Sequence, residues 1–137
     1  MYSPIEVVAA IIRHEGKYLC VQRGKSRYAY VSEKFEFPGG KVEAGETQLE
    51  ALIREIAEEL EIEIQAEKHL VSVTHHYPDF SIVLHAWLCQ SFTKEIQLKE
   101  HISMLWLLPN ELHNLDWAAA DLPVVEALHQ IEFLRIN

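Results

Sequence analysis

The chain has 137 residues, enough for one hydrophobic core and too few for two. Hydrophobic residues at 49% and charged residues at 24% describe a globular domain and exclude a disordered one, and no apolar run approaches the roughly 18 residues that span a bilayer. The net charge of −9 disfavours a nucleic-acid polymer as partner, because phosphate backbones select basic surfaces.

Ile5–Ile12 is β-branched and apolar almost throughout and predicts a strand buried on both faces. Gly16-Lys17 marks a turn, after which Tyr18–Gln22 reads as a partner strand. Gly24–Lys34 is polar and aromatic without helical period, which predicts a surface loop. Phe35–Phe37 follows as a short strand stopped by Pro38-Gly39-Gly40.

Thr47 and Glu50 have the spacing of a capping box, with Thr47 as N-cap. Leu49, Leu52, Ile53, Ile56 and Leu60 then recur at helical spacing, predicting a helix over Gln48–Leu60 with one apolar stripe. Leu70–Val73 and Ile82–Cys89 read as strands around a turn at Tyr77-Pro78-Asp79, and Met104–Leu108 as another. A second helix opens near Pro123 and places Val124, Leu128, Ile131 and Leu134 on a core face. The order β-β-β-α-β-β-β-α predicts one domain over residues 1–137, an α/β sandwich with a mixed sheet and two main helices. The N-terminus lacks a basic region before a long apolar stretch, and Cys20 and Cys89 sit in apolar strands without a cysteine framework. A reduced, cytoplasmic setting is therefore expected, with no membrane partner.

The acidity is local. Glu43 to Glu67 holds nine glutamates and one basic residue, Arg54, so this window carries −8 and the rest of the chain −1. On a helical wheel of about 100° per residue, Glu55, Glu58 and Glu59 share one face beside the apolar stripe. That face is either a solvated helix surface or a site for a hard cation, which takes oxygen ligands and relieves carboxylate repulsion. Pro38-Gly39-Gly40 lets the backbone approach a ligand closely and expose a carbonyl oxygen. Arg54 can hold a neighbouring carboxylate in a bidentate contact and so fix the others.

Gly40, Glu46 and Arg54-Glu55-Ile56-Ala57-Glu58-Glu59, at these spacings, resemble the signature box of the Nudix hydrolases. One position departs: the family's glycine near the helix end is Glu61 here. Phe35-Glu36-Phe37-Pro38-Gly39-Gly40-Lys41, His85-Ala86-Trp87 and Asp121-Leu122-Pro123 extend the resemblance to the MutT-like branch, nearest to its CTP pyrophosphohydrolase type, across about Ile5 to Leu134.

The resemblance implies a Nudix-type α/β/α sandwich that hydrolyses a nucleoside triphosphate to the monophosphate and pyrophosphate with Mg²⁺ or Mn²⁺, as a monomer or homodimer. It implies Glu55, Glu58, Glu59 and the Gly39 carbonyl as metal ligands, with Glu46 and Arg54 in support. Glu100 matches a loop glutamate that approaches the metal and the attacking water, or is a solvated loop charge. Which of Glu55 and Glu100 is the base stays open. Arg23 matches a residue that reaches phosphates or base, or is a surface arginine. Phe37 stacks on the base or packs in the core, and Lys41 is a phosphate candidate.

Asp121 matches a base-reading position, or caps the second helix. An ionised aspartate only accepts hydrogen bonds, which predicts cytosine-type bases with their exocyclic amino group over 8-oxoguanine. The histidines have no zinc-ligand spacing, and His85 is expected to be structural. ADP-ribose or a dinucleoside polyphosphate is the alternative substrate, with Pro78 as a faint pointer. A non-catalytic nucleotide sensor is a further alternative, against which all three box carboxylates argue.

Overall fold

The structure, a computed structural model, describes residues 3–136, of which the side chains of residues 133–136 are not described. Its strands are β1 (Ile5–His14), β2 (Lys17–Gln22), β3 (Phe35–Glu36), β4 (Gly39–Lys41), β5 (Gln65–His76), β6 (Ser81–Gln90) and β7 (Ser103–Leu107). The helices are α1 (Gln48–Leu60) and α2 (Leu122–Ile136), with 3₁₀ turns at Pro109–Asn114 and Ala119–Asp121. All seven strands join one mixed sheet in the order β3-β2-β1-β6-β5, with β4 added to β1 and β7 to β2. β1 and β6 run parallel, and the other pairs are antiparallel.

The alternation along β1 sorts the core into two layers. Val8, Ala10 and Ile12 pack with Leu52, Ile56 and Leu60 of α1 on one face. Ala9 and Ile11 pack with Leu112, Trp117, Val124 and Leu128 on the other, where α2 lies. The sandwich is therefore α/β/α. Ile131 joins the α2 core as expected, whereas Leu134 lies outside the described side chains.

Several local expectations change. Pro38-Gly39-Gly40 does not end the sheet: Pro38 has no N–H but its carbonyl accepts from Ala10 N (2.8 Å), and Gly39-Gly40-Lys41 pairs with Ala9, Val8 and Val7. β5 is far longer than Leu70–Val73 because its outward residues are polar and hide the strand from a search for apolar runs. The apolar stripe of α1 is narrower than its spacing suggests, since Leu49 is 39% and Ile53 51% exposed. The first hairpin turns at Glu15-Gly16, both at positive φ (51° and 80°), one residue earlier than expected.

Helix α1 begins as the sequence predicts. Thr47 accepts from Glu50 N while the Glu50 side chain accepts from Thr47 N. It ends at Glu61, which adopts the left-handed conformation (φ 55°, ψ 38°) that favours glycine. The family's missing glycine thus falls on a backbone that calls for one.

Candidate functional site

Two cavities adjoin where β4 meets α1. One, of about 560 Å³, is walled by Glu55, Glu59 and Glu100 on its acidic side and by Arg23, Lys25 and Lys41 on its basic side. The other, of about 520 Å³, runs between β1 and the turn at residues 77–80, with Ile5, Val7, Ile82 and Leu84 as an apolar floor and Asp121 at its end. Arg23, Glu36, Gly39, Gly40 and Lys41 line both, so the two form one continuous site.

Gly40 explains how the acidic cavity closes. A Cβ added there would lie 2.7 Å from Glu55 Oε1, and hydrogen alone leaves room for the carboxylate. Gly39 has no such freedom on its other side, where an added Cβ would overlap the Val8 carbonyl. The missing side chain at Gly40 allows α1 to approach β4, and the one at Gly39 allows β4 to pair closely with β1.

Arg54 gathers the support. Its Nε and Nη2 donate to the two oxygens of Glu46 (2.6 and 2.9 Å), and Nη2 also to the Lys41 carbonyl (3.1 Å). Its Nη1 donates to Glu55 (3.0 Å) and Glu58 (3.3 Å). These contacts, with the Glu43 amide, hold the Glu46 carboxyl down to about 2, while Glu46 and Glu55 push the arginine up.

The expected cluster of Glu55, Glu58 and Glu59 is divided here. Glu59 is buried, Glu55 half-buried, and both face the acidic cavity with Glu100. Glu58 shares Arg54 Nη1 with Glu55, but its side chain is 62% exposed against 16% for Glu55, and it lies outside the cavity lining. Burial, then the charges of Glu55, Glu100 and Glu36, push Glu59 up to about 9. Its Oε2 is buried without a hydrogen-bond partner. Among the described residues no three acidic or imidazole groups already surround a metal-sized point. An orphaned carboxylate oxygen among other carboxylates is nevertheless a donor set that fits a hard divalent cation.

In the second cavity Phe37 is buried and stacks on Trp117 (4.7 Å between centroids), and its amide donates to Asp121 Oδ1 (3.1 Å). Asp121 is the last residue of a 3₁₀ turn just before α2, and its side chain is directed to β3–β4. Burial and the Glu36 charge push it well above the usual carboxylate range, against the Phe37 amide and Arg23. That burial works against the ionised, accept-only Asp121 expected from the sequence. A neutral carboxyl both donates and accepts.

Sequence reasoning missed Glu36, which borders both cavities, and Lys25 and Tyr28, which lie in the loop after β2. Tyr77 it read only as part of a turn, and Phe80 it did not single out. The signal for Glu36 was present: a charged residue between Phe35 and Phe37 in an extended segment must face away from their core. Tyr30 joins this wall by stacking between Tyr28 (5.4 Å) and Tyr77 (5.1 Å). His85 is structural, donating from Nε2 to Glu6 (2.8 Å) and accepting at Nδ1 from Ser72 (2.7 Å).

The chain belongs to the Nudix hydrolase family: the model of the NUDIX domain matches residues 7–127. It is 40% identical over 132 residues to the CTP pyrophosphohydrolase of Escherichia coli K12, covering 96% of each chain. It is 32% identical over 127 residues to the 8-oxo-dGTP diphosphatase of the same organism, covering 93% of this chain and 98% of the other. The solution structure of the E. coli ORF135 protein superposes with a TM-score of 0.84 at 39% identity, over 96% of this chain and 92% of that one. Nudix hydrolases generally use divalent metals. No helix among the described residues is long and apolar enough to cross a membrane.

Proposed function

We propose that this protein is a Mg²⁺- or Mn²⁺-dependent pyrophosphohydrolase that cleaves a nucleoside triphosphate, of cytidine type or damaged, to the monophosphate and pyrophosphate in the cytoplasm. The observation that carries this reading is the pair of joined cavities: carboxylates with cations in one, an apolar slot ending on Asp121 in the other. A triphosphate needs the first and a nucleobase the second. The relatives named for CTP and 8-oxo-dGTP support the same substrate class.

Glu55, Glu59, Glu100 and the Gly39 carbonyl would hold the cation, joined by Glu58 on release from Arg54. The cation would neutralise the phosphates and make the attacked phosphorus more electrophilic. Arg54, anchored on Glu46 and Lys41, fixes Glu55. Arg23, Lys25 and Lys41 offset the charge of the phosphates and of the departing pyrophosphate. Glu55 or Glu100 takes the proton from the attacking water. At the other end Asp121, anchored by the Phe37 amide through Oδ1, presents its second carboxyl oxygen to the base edge.

The test is a panel of the common and 5-substituted or oxidised triphosphates, with ADP-ribose and a dinucleoside tetraphosphate, scored for pyrophosphate and phosphate. The expected result is pyrophosphate release, fastest from cytosine-type triphosphates. Preference for ADP-ribose or the dinucleotide would refute it, and binding without cleavage would make the protein a sensor.

A further inference from the structure

Glu36 stands at the junction of the two cavities, and two cationic or donor groups hold it. Arg23 Nη1 donates to Oε1 (3.3 Å) and His101 Nε2 to Oε2 (3.0 Å). The holders differ in kind. The Arg23 side chain is 43% exposed and lines both cavities, whereas the His101 side chain is only 5% exposed.

His101 is also locked from behind. The next residue's amide, Ile102 N, donates to the Gln22 carbonyl (3.0 Å), and Ser103 Oγ donates to the Gln22 side chain (2.7 Å), which pins this segment to the end of β2. Because a carboxylate can only accept, the His101 proton sits on Nε2. Its Nδ1 is buried with no hydrogen-bond partner. His101 also lines the acidic cavity, and its one side-chain hydrogen bond among the described residues is the one to Glu36.

The grip matters when substrate arrives. A triphosphate in the first cavity is a denser anion than one carboxylate and competes for the Arg23 guanidinium. Glu36 then keeps one fixed partner, and its charge acts on Glu59 in one cavity and Asp121 in the other. We propose that His101 is a positioning residue: by holding Glu36 Oε2 it keeps that carboxylate at the junction, where it orders the nucleoside end of the substrate. The proposal rests on the pyrophosphohydrolase reading for its substrate.

The test compares wild type with His101→Phe, His101→Gln, Glu36→Gln and the His101→Phe/Glu36→Gln double variant on CTP. Loss of one hydrogen bond to a charged group is expected to raise KM about ten-fold or more, with kcat within about three-fold of wild type. His101→Gln places an amide N–H near the former Nε2 and should recover most of the affinity. In the Glu36→Gln background, His101→Phe should add less than about two-fold, since the charge that His101 positions is gone. Simple multiplication of the two losses, or a His101→Gln protein that folds but behaves as His101→Phe, would overturn the proposal. A wild type that releases pyrophosphate from no triphosphate would overturn the functional reading instead. The same five proteins are then compared by calorimetric affinity for CMP without metal, where the same pattern is expected and additivity again refutes it.

Discussion

Gly40→Ala is the sharpest single perturbation of the acidic cavity. The new methyl group would lie 2.5 Å from Glu55 Oε2, so that oxygen must retreat by about 0.9 Å to reach the 3.4 Å where ordinary contact begins. Its carboxyl carbon, which is nearer, must move further. The side chain has room to yield because its far end is flexible, so the fold should survive with little change in Tm. The cost falls on geometry: a displacement near 1 Å at a reacting centre costs on the order of 100-fold in rate. Pyrophosphate release under saturating CTP and Mg²⁺ measures it, with Tm as the control. Gly39→Ala supplies the contrast, since its methyl group meets the Val8 backbone, which cannot yield without opening β1 from β4. That variant should lose stability first. Gly40→Ala retaining activity within about three-fold, at unchanged Tm, would refute the argument that this close approach sets the position of Glu55.

Glu61→Gly should stabilise the protein by roughly 0.5–1 kcal/mol by relieving the left-handed cap, less the small loss of its exposed pair with Lys99, and leave kcat unchanged. Thermal unfolding in chelator should show stability falling as pH rises from about 4.5 to 9: Glu59, pushed up to about 9 in the folded state, binds its proton there while the unfolded chain has lost it. Asp121 adds to that slope with the same sign, and Glu59→Gln should flatten it; a slope equal to wild type would refute the placement of Glu59. Raising pH should favour cytosine-type over 8-oxoguanine triphosphates, as an ionising Asp121 loses its donor to keto oxygens. Asp121→Asn should make that kcat/KM ratio independent of pH, and an unchanged pH profile in the variant would remove Asp121 from base recognition.

Helix α1 was legible to the residue because its signals are local: a capping box at Thr47–Glu50 and a buried face at Leu52, Ile56 and Leu60. The buried runs of β1, β2 and β6 were legible for the same reason. β4 was hidden because its pairing depends on β1, some thirty residues earlier, and its glycines carry no periodicity. The site divided similarly. Glu55, Glu59 and Glu100 line one cavity, whereas Glu58 stays exposed beside Arg54, a difference set by tertiary packing that a helical wheel cannot weigh. The neutral tendency of Asp121 comes from burial and from Glu36 across the chain, both products of the tertiary fold.

The central claim is that one carboxylate-walled cavity uses a divalent cation to release pyrophosphate from a nucleoside triphosphate. Its most direct test is product analysis on CTP with Mg²⁺, with chelator, and with Glu59→Gln and Glu58→Gln. The account predicts CMP and pyrophosphate in equal amounts with Mg²⁺, none in chelator, and a loss of about 100-fold or more in kcat for each variant. Orthophosphate as the product, or turnover that persists in chelator or in the Glu59→Gln protein, would contradict it.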